Sequence, residues 1–319
     1  MLDEPLVSIR HLSKTFQSDR GPVYAVQDVS LDIPKGSIVG LVGESGSGKT
    51  TLGRTVLRLI EPSSGSTFFD GTDLNGLDTA GMRAMRRRMQ IIFQDPVASL
   101  NPRLRVRDVI AEGLVAHKVG SRRQRDDKVA ALLDEVGLKT EHMQRFPHEF
   151  SGGQRQRIGI ARALALDPDF IVADESVSAL DVSIQAQVLN LLLDIRDRRG
   201  LTMLFIAHDL SVVEYLCDVT AVMYLGRIVE VGPSAEVYSA PAHPYTKALL
   251  SAIPEPEPGA LRGRELLQGD IPSPLSPPSG CVFRTRCRHA QEACADAAPE
   301  LVPWGDGRQA ACHRLSEIS

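Results

Sequence analysis

The sequence predicts an α/β protein with a largely parallel sheet, followed by a small irregular segment rich in cysteine. Three observations carry this. Short, wholly apolar runs recur and stop at polar residues. Segments with helical spacing lie between them. Beyond Ile253 the texture turns to proline and glycine, and four of the five cysteines fall in the last 39 of 319 residues. Strands alternating with helices argue for a parallel sheet. Polar residues waiting at the carboxyl ends of such strands are where these sheets hold ligands.

The elements follow in order. Ser37-Ile38-Val39-Gly40-Leu41-Val42 is a short apolar run ending at Gly43, and it fits a buried strand. From Thr51 the period changes: Leu52, Val56, Leu59 and Ile60 recur at helical spacing until Glu61-Pro62. Val129, Leu132, Leu133 and Val136 mark a helix with Gly137 in a C-cap position. Phe170-Ile171-Val172-Ala173 is a second buried strand, ending in Asp174-Glu175. Ile184, Val188, Leu191, Leu192 and Ile195 share one helical face, closed by Gly200. Met203 to Ala207 is a third buried strand, ending at His208. Val219 to Tyr224 and Arg227 to Val231 form a hairpin around Leu225-Gly226. The stretch PEPEPGALRGRELLQGDIPSPLSPPSG reads as a linker and an irregular appendage, and no internal repeat is visible.

Composition narrows the function. The net charge is −4, so no overall basic field attracts nucleic acid. The run Arg86-Arg87-Arg88 has no aromatic residues interleaved and fits a solvated helix face. The opening MLDEPLVSIR is acidic and mixed, unlike a signal peptide. No apolar run approaches the ~18 residues that span a bilayer. A cytosolic chain with reduced thiols is expected, with any membrane role supplied by partners.

Gly43-Glu44-Ser45-Gly46-Ser47-Gly48-Lys49-Thr50 fits the pattern G-x-x-x-x-G-K-[ST]. Its glycines let backbone N–H groups turn inward around phosphate oxygens, Lys49 reaches the β- and γ-phosphates, and Thr50 holds Mg²⁺. The helix that follows adds the positive end of its dipole. Asp174 at a strand end is placed to hold Mg²⁺ through water, and Glu175 beside it to polarise an attacking water. Ser151-Gly152-Gly153-Gln154 precedes RQRIGIARALAL, so a second phosphate-binding device opens a helix. One nucleotide does not need two such loops from one chain. Two chains arranged head to tail use both.

This order of motifs resembles the ATP-binding cassette (ABC) ATPases, over about residues 5 to 255. The resemblance implies a RecA-like core with an N-terminal antiparallel β part and a helical subdomain at about 95–165. It divides the chain into a nucleotide-binding domain, 1–255, and a C-terminal extension, 256–319. It implies further roles. Gln94 in IIFQDP matches the glutamine that senses Mg²⁺ and water and couples to membrane subunits. Ser178-Ala179-Leu180-Asp181 matches the D-loop that meets the opposite protomer. His208 matches the switch histidine, and Phe16 the aromatic that stacks on adenine, with Tyr24 as its rival. Each ATP is expected between Gly43–Thr51 of one chain and a signature loop of the other. The sequence departs from the family at Ser176, where a proline usually follows the catalytic glutamate. Glu175 is intact, so hydrolysis is expected to survive.

MQIIFQDPVASLNPR, HEFSGGQRQRIGIARALALDPDFIVADE and AHPYTKALLSAIP resemble ATPase subunits of peptide importers, best the F-type subunit of dipeptide and oligopeptide permeases. Relatives that move nickel, glutathione or sugars, and non-transport ABC ATPases of DNA repair or translation, are the alternatives. The resemblance implies a D-type partner ATPase, two membrane permease subunits and an extracytoplasmic peptide-binding protein, with the chain on the cytoplasmic face of the membrane. The remaining cysteines are spaced Cys281-x5-Cys287-x6-Cys294-x17-Cys312. Neither the tight knuckles of structural zinc sites nor simple ferredoxin spacing is present. Four thiolates still suit iron–sulfur or zinc, and a segment with little core needs a staple. A [4Fe–4S] cluster is the leading expectation, also because the peptide-permease group carries a similar set. Zinc, disulfides or unligated thiols are the alternatives, with His289 and His313 as possible substitute ligands.

Overall fold

The computed structural model describes residues 5–178, 180–252, 267, 269–305 and 307–318. The expected boundary near residue 255 and most of the expected linker lie outside the described residues. Two compact units emerge, both discontinuous in sequence. One runs through Gly76–Ile206. The other combines Pro5–Ile33, Ser37–Asn75 and the chain from Ala207 onward.

The unit through Gly76–Ile206 contains three parallel strands, Met89–Ile92, Phe170–Asp174 and Thr202–Ala207, with Ile91 opposite Val172 and Val172 opposite Leu204. Phe170–Asp174 is buried along its whole length, as a strand covered on both faces must be. The helices of this unit start where the sequence supplies acceptors. Asp78 caps Thr79–Arg88 by accepting from Gly81 N–H, and Ser121 and Gln124 close a capping box on Arg122–Glu135. The last helix, Val182–Arg199, ends at Gly200 in the left-handed region, as expected. Arg86 and Arg87 lie exposed on the last turn of Thr79–Arg88, where cations suit the negative end of the dipole.

The other unit holds an antiparallel sheet in the order Gly21–Pro34, Pro5–Ser18, Ser64–Phe69, Thr72–Asp73. A bulge interrupts Pro5–Ser18 between Arg10 and Ser13. A second group of strands starts from Ile38–Val42, which runs parallel to Val219–Tyr224 with Val42 opposite Val222. Val219–Tyr224 forms the expected hairpin with Arg227–Pro233. Its turn residues Leu225 and Gly226 have φ of 43° and 81°, the handedness that two-residue hairpins need.

Two differences from the sequence reading stand out. The helix after the phosphate loop is Lys49–Val56 and stops short of Ile60. Arg58 takes φ 49°, and the N–H groups of Leu59 and Ile60 both turn back to Arg54 O. Arg58 is held there by Leu74 O and the Glu61 carboxylate. The second difference concerns the tail. Val302–Pro303 pairs with Gln309–Ala310, which in turn extends the sheet at Arg227–Pro233, with Glu230 opposite Ala310. Phe283 is 2% exposed and Ala310 fully buried, and Leu315 and Trp304 pack with Ala242. The cysteine-rich tail therefore shares a core with residues before it, Phe283 packing on Tyr224, His243 and Tyr245, and burying one such phenylalanine contributes about 1.5–3 kcal/mol. Among the described residues no helix is long and apolar enough to cross a membrane.

Candidate functional site

The apolar strand Ile38–Val42 delivers the chain to Gly43, and Lys49–Val56 carries it away. Between them the backbone needs glycine. A Cβ on Gly43 (φ 154°) would lie 2.1 Å from Met223 O, and one on Gly48 (φ 104°) 2.1 Å from Ala25 O. Gly48 is the N-cap of the helix and makes no side-chain cap, so the first turn at Lys49–Thr51 opens on the glycine-rich loop itself. Ser47 N–H donates to Glu44 O at 3.2 Å, which closes the loop between Ser45 and Gly46. Lys49 is 4% exposed, and its ammonium donates to Gly43 O (2.7 Å) and Glu44 O (2.9 Å). A buried cation over a ring of amides is an anion-binding arrangement. Gly226 N–H donates to Ser47 O at 2.8 Å, so the hairpin turn braces the loop.

The same unit carries Phe16, Tyr24 and His208. Phe16 and Tyr24 are both 37% exposed, and the Lys14 ammonium sits 5.0 Å above the Phe16 ring. His208 is exposed at the end of Thr202–Ala207, and Asp209 caps the next helix by accepting from Ser211 N–H. Sequence reasoning missed two residues here. Tyr245 Oη accepts from Glu44 N–H at 2.9 Å, and Arg286 forms a bidentate ion pair with the Glu44 carboxylate. Both partners lie more than 200 residues from Glu44 in the chain, beyond the reach of any local pattern.

In the unit through Gly76–Ile206, Phe170–Asp174 ends with the Asp174 carboxylate 1% exposed. Glu175 follows at φ 44°, its N–H donating to Ile206 O. A left-handed glutamate is strained, which fits a residue held for function. Gln94 Nε2 donates to Glu175 Oε2 at 2.8 Å, so two residues 81 positions apart in sequence meet. Hydroxyl, amide oxygen and carboxylate, at Thr50, Gln94 and Asp174, are the hard oxygen donors that Mg²⁺ prefers. The turn after Glu175 is stiff without proline: Ser178 N–H and Ser178 Oγ both donate to Glu175 O, at 3.2 and 2.9 Å. Ser176 itself is 2% exposed.

Ser151 and Gln154 form a reciprocal capping box on the helix Gly152–Leu164. Their side chains thus serve the helix, and exposed Gly152 presents backbone to solvent. Gly153 has no room for a side chain, since a Cβ would lie 2.4 Å from Ile184 Cγ2. Asp181 heads Val182–Arg199 with its side chain making no cap, and Val182 beside it is 85% exposed. Ala179 of the D-loop lies outside the described residues.

Cys281, Cys287, Cys294 and Cys312 line one small cavity together with His289 and His313. Burial pushes the Cys281 thiol up to about 11, helped by the charges of the other three cysteines and opposed by the Phe283 N–H. No group of three or more His, Cys, Asp or Glu side chains among the described residues is set to hold a metal ion. The four cysteines of the expected cluster therefore share one cavity, yet they form no metal-holding group among the described residues. Cys217 lies apart in the core, where a Cβ on Gly40 would meet its sulfur at 2.9 Å.

Comparison with known proteins agrees with this layout. The ABC transporter family matches residues 26–178, and the oligopeptide/dipeptide transporter C-terminal region matches residues 229–294. A putative peptide import ATP-binding protein of Brucella ovis is 57% identical over 98% of this chain and 99% of its own length. The oligopeptide transport ATP-binding protein OppF of Bacillus subtilis is 56% identical over 82% and 87%. Among solved structures, the dimeric cassette MJ0796 in a post-hydrolysis state bound to ADP and Pi has a TM-score of 0.66 at 28% identity, covering 72% of this chain and 98% of its own. CbiO1 of Clostridium perfringens, part of an ABC transporter complex, has the same TM-score at 25% identity, over 75% and 92%.

Proposed function

Since this chain belongs to the ABC transporter ATP-binding family, we propose that it is the ATPase subunit that powers peptide uptake across the cytoplasmic membrane. The observation that carries the reading is one chain holding a phosphate loop, a Ser151–Gln154 signature and the C-terminal region of oligopeptide and dipeptide transporters. The chain works at the cytoplasmic face of the membrane, bound to permease subunits and to a second ATPase.

Each residue then has a task. Gly43–Thr51 cradles the phosphates and Lys49 binds the β- and γ-oxygens. Phe16 stacks on the base. Thr50, Gln94 and Asp174 would hold Mg²⁺, which would neutralise phosphate charge. Glu175 accepts a proton from the attacking water, Gln94 and His208 orient that water, and the bond from the β-γ bridging oxygen to the γ-phosphorus breaks to give ADP and phosphate. Ser151, Gly152, Gly153, Gln154 and Asp181 act on the nucleotide held by the other ATPase of the pair, closing the dimer. The partner ATPase is a D-type cassette, and an extracytoplasmic peptide-binding protein delivers the substrate.

We further propose that the four cysteines would hold a [4Fe–4S] cluster. Support comes from their shared cavity and from the chemistry of four thiols. Iron and sulfide analysis of anaerobically purified protein tests this, and zinc in their place would remove it.

Peptide uptake in a deletion strain tests the main reading. The wild-type chain should restore uptake, and Lys49→Ala should not. Equal complementation by both would overturn it.

A further inference from the structure

We propose that Arg286 is a positioning residue for the phosphate loop, acting through Glu44 to set the affinity for nucleotide. The proposal rests on the phosphate-loop reading given above. Glu44 is the first residue after Gly43, and it is tethered three ways. Its N–H donates to Tyr245 Oη at 2.9 Å, its carbonyl accepts from Lys49 Nζ at 2.9 Å, and its carboxylate is forked by Arg286 at 2.7 and 3.2 Å. The Arg286 side chain is 5% exposed and that of Glu44 23%, so this pair is largely screened from water. Such a fork fixes direction as well as charge.

Arg286 is itself held in place. Its guanidinium lies 5.9 Å from the centre of the Tyr224 ring. Tyr224 packs on Tyr245 and Phe283, with centroids 4.7 and 5.3 Å away. Met223, next to Tyr224, supplies the carbonyl that leaves no room for a side chain at Gly43. One aromatic cluster therefore buttresses both the loop and the arginine.

The electrostatics give the pair a purpose. A polyphosphate brings several negative charges to a loop that carries a carboxylate of its own. Like charges at such range repel strongly in a partly dry site. Arg286 neutralises Glu44 and holds its carboxylate against the C-terminal segment. The Glu44 carbonyl also holds Lys49, so a shift of Glu44 displaces the phosphate-binding ammonium. Arg286 lies between Cys281 and Cys287, which makes it the link from the cysteine-rich segment to the loop.

The test is equilibrium binding of a fluorescent N-methylanthraniloyl ATP with Mg²⁺ to the full chain, together with steady-state kinetics. Arg286→Gln is expected to weaken binding at least about tenfold, the scale of losing hydrogen bonds to a charged group. KM should rise in parallel while kcat stays within about twofold. Arg286→Lys keeps the charge and loses the fork, so its affinity should fall between the two. In a Glu44→Gln background, Arg286→Gln should add less than about twofold, because the charge it neutralises is gone. An unchanged affinity in Arg286→Gln, or the same loss in both backgrounds, would overturn the proposal. Should Arg286→Gln fail to fold, as its melting curve without nucleotide would show, Arg286→Lys decides, and wild-type affinity in that variant overturns it. Wild-type protein that binds no nucleotide strikes instead at the phosphate-loop reading.

Discussion

In the proposed mechanism Glu175 carries most of the chemistry in one side chain. Its left-handed backbone and its bond to Gln94 hold the carboxylate in one direction. Glu175→Gln should bind ATP as well as wild type and hydrolyse it at least about a hundredfold more slowly, the scale of a lost general base. Single-turnover phosphate release from the assembled transporter checks this. His243 gives a second prediction. Burial pushes its ring down to about 3, and its Nδ1 accepts from Tyr245 N–H, so the folded chain keeps it neutral. The unfolded chain binds a proton near pH 6.5. Stability from this group is therefore full above about 6.5 and is lost as pH falls toward 3. His243→Asn keeps a capping acceptor and does not titrate. Urea midpoints should thus fall less steeply between pH 6.5 and 5 in the variant than in wild type. Neither feature was equally visible in sequence. Glu175 stood out beside Asp174 at the end of an apolar strand. The burial of His243 depends on Phe283, forty residues on, and no local pattern reveals it.

At the level of elements, wholly apolar runs were legible because a strand covered on both faces allows little else. Helix ends were legible where a capping residue marks them, as at Gly200, and not where the tertiary fold decides. Arg58 ends Lys49–Val56 through contacts with Leu74 and Glu61, whereas the periodicity ran on to Ile60. Val302–Pro303 and Gln309–Ala310 are too short for any period, and they pair because an existing strand offers them a ladder. The hairpin at Leu225-Gly226 sets two effects against each other. Leu225 at φ 43° costs about 1–2 kcal/mol. Its side chain is 2% exposed, and that burial contributes about 1.5–3 kcal/mol. Leu225→Gly removes both, and glycine adds backbone freedom to the unfolded chain. The expected result is a net loss of roughly 1 kcal/mol, measurable as a lower urea midpoint at unchanged m.

For the molecule as a whole, the motifs pointed to candidate catalytic residues because each chemistry needs fixed residue types at fixed spacing. They gave no sign of Arg286 or Tyr245, whose partner is 242 and 201 residues away. That separation has a consequence for how the protein is made. Ribosomes add about 5–20 residues per second. The phosphate loop therefore emerges roughly 10 to 50 seconds before Arg286 is synthesised. From the addition of His208 until that of Arg286, the nascent cassette carries every ATPase motif while Glu44 still lacks its counter-charge. Chains stalled on the ribosome just past Gly280 should gain less protease resistance from ATP than stalled chains carrying all 319 residues on a C-terminal spacer. On the proposed role of Arg286, its translation would act as a completion signal, and a chain released before it would compete poorly for ATP, and so for a permease.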